Sequence, residues 1–104
     1  MNLLNLGEDL DRPWMQKIVG EIDNSIIRVV RYYGEYPMHR HNGDQFVLVI
    51  EGEIDIEEEG KLIHLDKMDF YVIKSGRWHR PIANSSSLVM VIWKKGIKTE
   101  LKEK

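Results

Sequence analysis

Cysteine is absent from this 104-residue chain, which excludes a disulfide framework, a thiolate metal site and a thiol nucleophile. Neither sign of charge dominates: 15 Lys and Arg stand against 17 Asp and Glu, a net charge of −2 with a pI near 6.1. That balance argues against an electrostatic grip on nucleic acid or on an acidic membrane surface. Long hydrophobic runs are missing as well. The longest, at 88–93, falls far short of the ~20 residues that a membrane span needs. The first ten residues carry Glu8 and Asp9 without a basic cluster, so no signal peptide is visible and a cytoplasmic location is expected. Glycine is dispersed at turns, which leaves no phosphate-cradling loop.

What the chain does contain is strand signal. The stretches 25–33, 45–50, 62–65, Phe70–Ile73 and 88–93 are rich in β-branched and aromatic residues. Glu53-Ile54-Asp55-Ile56-Glu57 alternates strictly, which puts both isoleucines on one face and the carboxylates on the other. Turn residues recur about every 8 to 12 positions, the rhythm of a sandwich or barrel. The best helix candidate, 99–104, is too short to stand alone. Residues 1–104 therefore read as one all-β domain, with an N-terminal strand or arm at 1–12 and a frayed tail at 97–104. A chain of this length buries roughly two-thirds of its unfolded surface. The core is thin, and a second copy packed against it is expected.

The chemistry gathers in few positions. His39 and His41 are two apart, so on a strand both rings project from one face. His79 lies far downstream in Gly76-Arg77-Trp78-His79-Arg80-Pro81. Two imidazoles from one strand and a third from another form a divalent-metal constellation, because neutral imidazole donates a lone pair from either nitrogen. An H-x-H pair alone is also a common solvated surface feature. The fourth position is open: a two-residue hairpin at Asn42-Gly43 would set Asp44 opposite His41 and turn Gln45 away.

Here the sequence resembles the cupin superfamily, whose first motif is G-x5-H-x-H-x3or4-E-x6-G. Gly34, His39, His41 and Gly52 fall on that motif, with one residue fewer before the histidines. Counted back from Gly52, Gln45 stands where the family has its metal-binding Glu. Gly76, His79 and loosely Asn84 follow the second motif, with Met68 and Lys74 in place of its first Gly and its Pro. Trp14, the run Lys17-Ile18-Val19-Gly20-Glu21, Gly34-Glu35 and the Gly76 to Pro81 run resemble small cupins labelled mannose-6-phosphate isomerase-like. The resemblance implies a small antiparallel, jelly-roll-like cupin β-barrel. It also implies a divalent transition metal (Zn, Ni, Fe, Cu or Mn) on His39, His41, Gln45 and His79. Gln in place of Glu leaves the ion its full charge, which disfavours hard cations more than imidazole-preferring ones.

Two departures bear on the reaction. Related proteins read E-P-x-G-T-x-N-T late in the chain, where this one has Trp93-Lys94-Lys95-Gly96-Ile97. Cupins that open unsaturated uronates are also similar in the metal motif, Gln included. Their late Asp and Arg fall at Val91 and Ile97 here. Met38, Trp78 and Trp93 are expected to bound a ligand pocket, with core filling as the alternative for Trp78 and Met38. Arg31, Arg40 and Arg80 read as outward residues meeting carboxylates, His64 as a surface residue, Glu57-Glu58-Glu59 as a solvated hairpin tip and Ser85-Ser86-Ser87 as a loop. No cation is placed inward, so a sugar phosphate should fit poorly. The expected function is metal-dependent handling of a small polar or carbohydrate-like molecule, by an isomerase, lyase or oxygenase. A non-catalytic sensing cupin and a metal-free degenerate cupin are the alternatives.

Overall fold

The computed structural model describes residues 1–102. A short helix, α1 (Leu3–Leu6), precedes nine strands: β1 (Gln16–Ile22), β2 (Ser25–Glu35), β3 (His39–His41), β4 (Gln45–Glu51), β5 (Ile54–Glu58), β6 (Lys61–Leu65), β7 (Phe70–Ile73), β8 (His79–Lys94) and β9 (Thr99–Leu101). All pairings are antiparallel. The organiser is β8, long enough to serve both halves of the barrel. Its first part pairs with β3 and β5, its second with β4, and β2 runs along both. Between the two parts the serines at 85–87 continue the strand and do not form a separate loop. Ser87 is fully buried there, its hydroxyl donating to Glu53 O and accepting from Glu53 N. Gly52 must be glycine at this corner, because its φ is +90° and a Cβ would lie 2.8 Å from Ser87 Cβ.

Inside the barrel Val30, Tyr32, Val47, Val49, Ile54, Ile56, Val89 and Val91 form the main core. Strict alternation on β4 sends Gln45, Val47 and Val49 inward. Glu58 continues the inward set of Ile54 and Ile56, so it is not part of a solvated tip. It is 3% exposed and accepts a hydrogen bond from Tyr71 Oη at 2.7 Å.

Both chain ends correct the sequence reading. The first twelve residues form no strand: Asn2 Oδ1 caps α1 by accepting from the Leu4 and Asn5 amides. Leu3 and Leu10 then cover Val29, Ile50 and Leu88 on the outer sheet face, pinned by Arg31 Nε donating to Leu10 O at 2.8 Å. At the other end, Thr99–Leu101 pairs with His39–His41 as β9 and is not frayed. Residues 103–104 of the expected tail lie outside the described residues.

Candidate metal centre

Two strands deliver the three histidines. His39 and His41 occupy alternate positions of β3, and His39 is the cross-strand neighbour of His79 at the start of β8. Ring centroids are 4.3 Å apart for His39 and His79, 4.8 Å for His39 and His41, and 5.2 Å for His41 and His79. One ring nitrogen from each lies within 4.8 Å of the others. All three rings are buried, 5% exposed or less.

Their outer nitrogens are all engaged. His39 Nδ1 stands 2.7 Å from Pro37 O, His79 Nδ1 3.0 Å from Arg77 O, and His41 Nδ1 2.9 Å from Thr99 Oγ1. With Nδ1–H donating to these oxygens, each Nε2 keeps its lone pair for the interior. Burial lowers the pKa of all three rings, and for His41 and His79 repulsion from the neighbouring imidazoles adds to it. His41 and His79 are brought down to about 4, and His39 moves in the same direction. All three are neutral at pH 7.

Gln45 joins them. It is 5% exposed on the inner face of β4, whereas Asp44 points to solvent and accepts from Lys74 Nζ and the Ser75 amide. Of the two, Gln45 is the one on the inner face with the histidines, and Asp44 is turned away from them. Gln45 Oε1 and His41 Nε2 are both buried and without a hydrogen-bond partner. Two orphaned acceptors side by side are costly, about 1–3 kcal/mol each. A divalent ion is a single group that takes lone pairs from both. Three imidazole nitrogens and an amide oxygen suit Zn, Ni, Fe or Cu, and Mn less well. The histidine group can hold a metal ion.

The site opens into a cavity of about 270 Å³, also lined by Trp14, Gln16, Tyr32, Tyr36, Trp93 and Thr99. Trp93 faces in, its ring 5.1 Å from that of His41. Met38 and Trp78 do not line it. The same period of two that turns His39, His41 and His79 inward turns Met38 and Trp78 outward. Trp78 instead lies under the guanidinium of Arg40 and the ammonium of Lys102. Outward too are Arg40, paired with Glu100, and Arg80, paired with Glu35 and Glu57. Exposed His64 sits between Asp55 and Asp66.

Sequence reasoning missed several cavity residues. Thr99 restores a hydroxyl that the run 93–97 seemed to have lost, through strand pairing that no local pattern announces. Trp14 is held at φ +66°, a strained conformation for a bulky side chain, and packs against Tyr32 and Tyr36. Arg28, paired with the cavity residue Val91 across β2 and β8, does not itself line the cavity but is a cation next to it that the sequence reading left unplaced. Its signal was the alternation of Arg28, Val30 and Tyr32.

The cupin domain family matches residues 29–94. The chain belongs to the cupin family. A relative in Bacillus subtilis (strain 168), the uncharacterised protein YdbB, is 28% identical over 81 residues, covering 76% of this chain and 72% of its own length. A cupin-2 domain containing protein of Shewanella frigidimarina has the same fold: TM-score 0.88 and 25% identity, over 91% of this chain and 94% of that one. The fold also recurs in the hydroquinone 1,2-dioxygenase PnpCD, whose crystal was obtained with Cd2+ and 4-hydroxybenzonitrile. There the TM-score is 0.76 and identity 15%, over 91% of this chain and 72% of that one.

Proposed function

We propose that this cupin holds one divalent transition ion on His39, His41, Gln45 and His79 and presents it to a small molecule in the cavity beside Trp93. The observation that carries this reading is the pair of orphaned atoms, His41 Nε2 and Gln45 Oε1, buried next to two further imidazoles. An ion bound there supplies Lewis acidity, able to polarise a carbonyl or hydroxyl or to lower the pKa of water. The chain's own part is to orient and to exclude water. Thr99 and the carbonyls of Pro37 and Arg77 fix the rings, and Trp14, Tyr32 and Trp93 make the walls apolar. PnpCD, crystallised with a metal ion and a small aromatic ligand, supports such use of the fold.

Among the described residues no Asp, Glu or Lys lines the cavity, and burial raises the Tyr32 phenol so that it stays protonated. Acid–base chemistry must then come through the ion, as an isomerase, lyase or oxygenase would use it. The same lack favours, as a second reading, a sensing cupin that binds its ligand without turnover. Within the family we group the chain with the small cupins resembling mannose-6-phosphate isomerases. We expect no turnover of that sugar phosphate, since an apolar Trp93 wall suits a smaller, partly apolar ligand. Titration with Co(II) tests the metal reading: visible d–d bands should grow in the wild type and be lost in His79→Ala. Equal bands in both proteins would refute it.

A further inference from the structure

We infer that Arg28 recognises the carboxylate of a small, partly apolar ligand entering this cavity. The inference rests on the reading of the cavity as a ligand site and does not require the metal.

The chain has six arginines. Five have a carboxylate within 4.0 Å: Arg12 with Asp11, Arg31 with Glu51, Arg40 with Glu100, Arg77 with Glu59 and Arg80 with Glu35. Arg28 has none among the described residues, and its Nη1 is buried without a hydrogen-bond partner. Burying a donor of a charged group unmatched is costly, so the position calls for a reason. Its surroundings suggest one. Arg28 shares the inner face of β2 with Val30, beside Val91 of β8, and both valines line the cavity. Its guanidinium carbon is 5.0 Å from the centroid of the Trp93 ring, and that ring contacts His41. One indole thus joins an unpaired cation to the histidine group.

The chemistry of the ligand follows from what lines the cavity. Among the described residues no lysine or arginine lines the cavity itself, and Arg28, which adjoins its Val91 and Trp93 walls, is the fixed positive charge beside it. A single cation matches a monoanion better than a phosphate dianion. Aromatic and aliphatic walls call for an apolar body, and about 270 Å³ limits its size, below the roughly 300–1,000 Å³ of drug-sized sites. An aromatic monocarboxylate meets all three demands.

The test uses benzoate and its neutral isostere benzamide, titrated into the EDTA-treated full chain at pH 7.5 by calorimetry and tryptophan fluorescence. Wild type should bind benzoate about ten-fold more tightly than benzamide, as expected for a charge-assisted hydrogen bond away from water. Arg28→Met keeps an apolar side chain over Trp93 but removes the charge. It should erase the preference while leaving benzamide affinity within about two-fold. Arg28→Lys should keep part of the preference, which guards against a folding defect in the first variant. Equal binding of both probes by wild type, no binding of either, parallel loss of both in Arg28→Met, or tighter binding of phenyl phosphate would overturn the inference. If the metal reading fails, the benzoate-to-benzamide ratio of metal-free protein still stands, so the two claims fail separately.

Discussion

Acidification should destabilise the metal-free protein through its buried histidines. Unfolded, each ring has a pKa near 6.5; folded, burial holds His41 and His79 at about 4. Between those values the unfolded chain binds more protons, so stability is complete above pH 6.5 and falls as the pH drops toward 4. At 1.36 kcal/mol per pKa unit, each of these rings costs about 2 kcal/mol by pH 5 and about 3 by pH 4. His39 acts in the same direction. Against a typical total of about 5–15 kcal/mol, that loss is large. Exposed His64 opposes it, since Asp55 and Asp66 raise its pKa. Urea unfolding in EDTA, from pH 7 to 5, should therefore be compared between wild type and His41→Asn. The variant should lose about 2 kcal/mol less over that range. Parallel curves would refute the claim that burial holds the ring neutral.

Replacing Gln45 by Glu returns an anionic oxygen to the site and should raise Mn(II) affinity about ten-fold or more; an unchanged Mn(II) titration would remove residue 45 from the ligand set. Thr99→Val deletes the partner of His41 Nδ1 and should weaken Zn(II) binding about 10–100-fold while the fold persists, as competition with a chelating dye will show. Phe70 and Val72 are 60% and 40% exposed on the outer face of β7, where Phe46 stacks on Phe70, and this apolar face should pair two copies. Light scattering should then give twice the 12.3 kDa chain mass, and a monomer at micromolar concentration would contradict it.

The barrel was legible because its strands are locally patterned: Ile54 and Ile56 alternate with acids, and the runs on β4 and β8 are apolar and β-branched. The metal constellation was legible for the same reason, since a period of two places His39 and His41 on one face. Gln45 was reachable only by counting from Gly52, a residue whose positive φ fixes the register of the β4–β5 corner. Applied to Met38 and Trp78, the same period of two would have turned both outward. What remained hidden depends on contacts distant in sequence. Residues 99–101 show no strand pattern of their own and become a strand because β3 offers an edge. Glu58 looks like a hairpin acid until Tyr71, from the facing sheet, supplies its partner. The N-terminal residues form a capped turn of helix because Leu3 and Leu10 find an apolar sheet face to cover.

Metal content of protein purified without a histidine tag bears most directly on the central claim. After incubation with Zn(II) and removal of excess, elemental analysis should find about one ion per chain. The His41→Ala, His79→Ala double variant should fall to background while keeping its β-sheet circular dichroism. No bound metal in wild type, or full occupancy in the double variant, would contradict the assignment of this site.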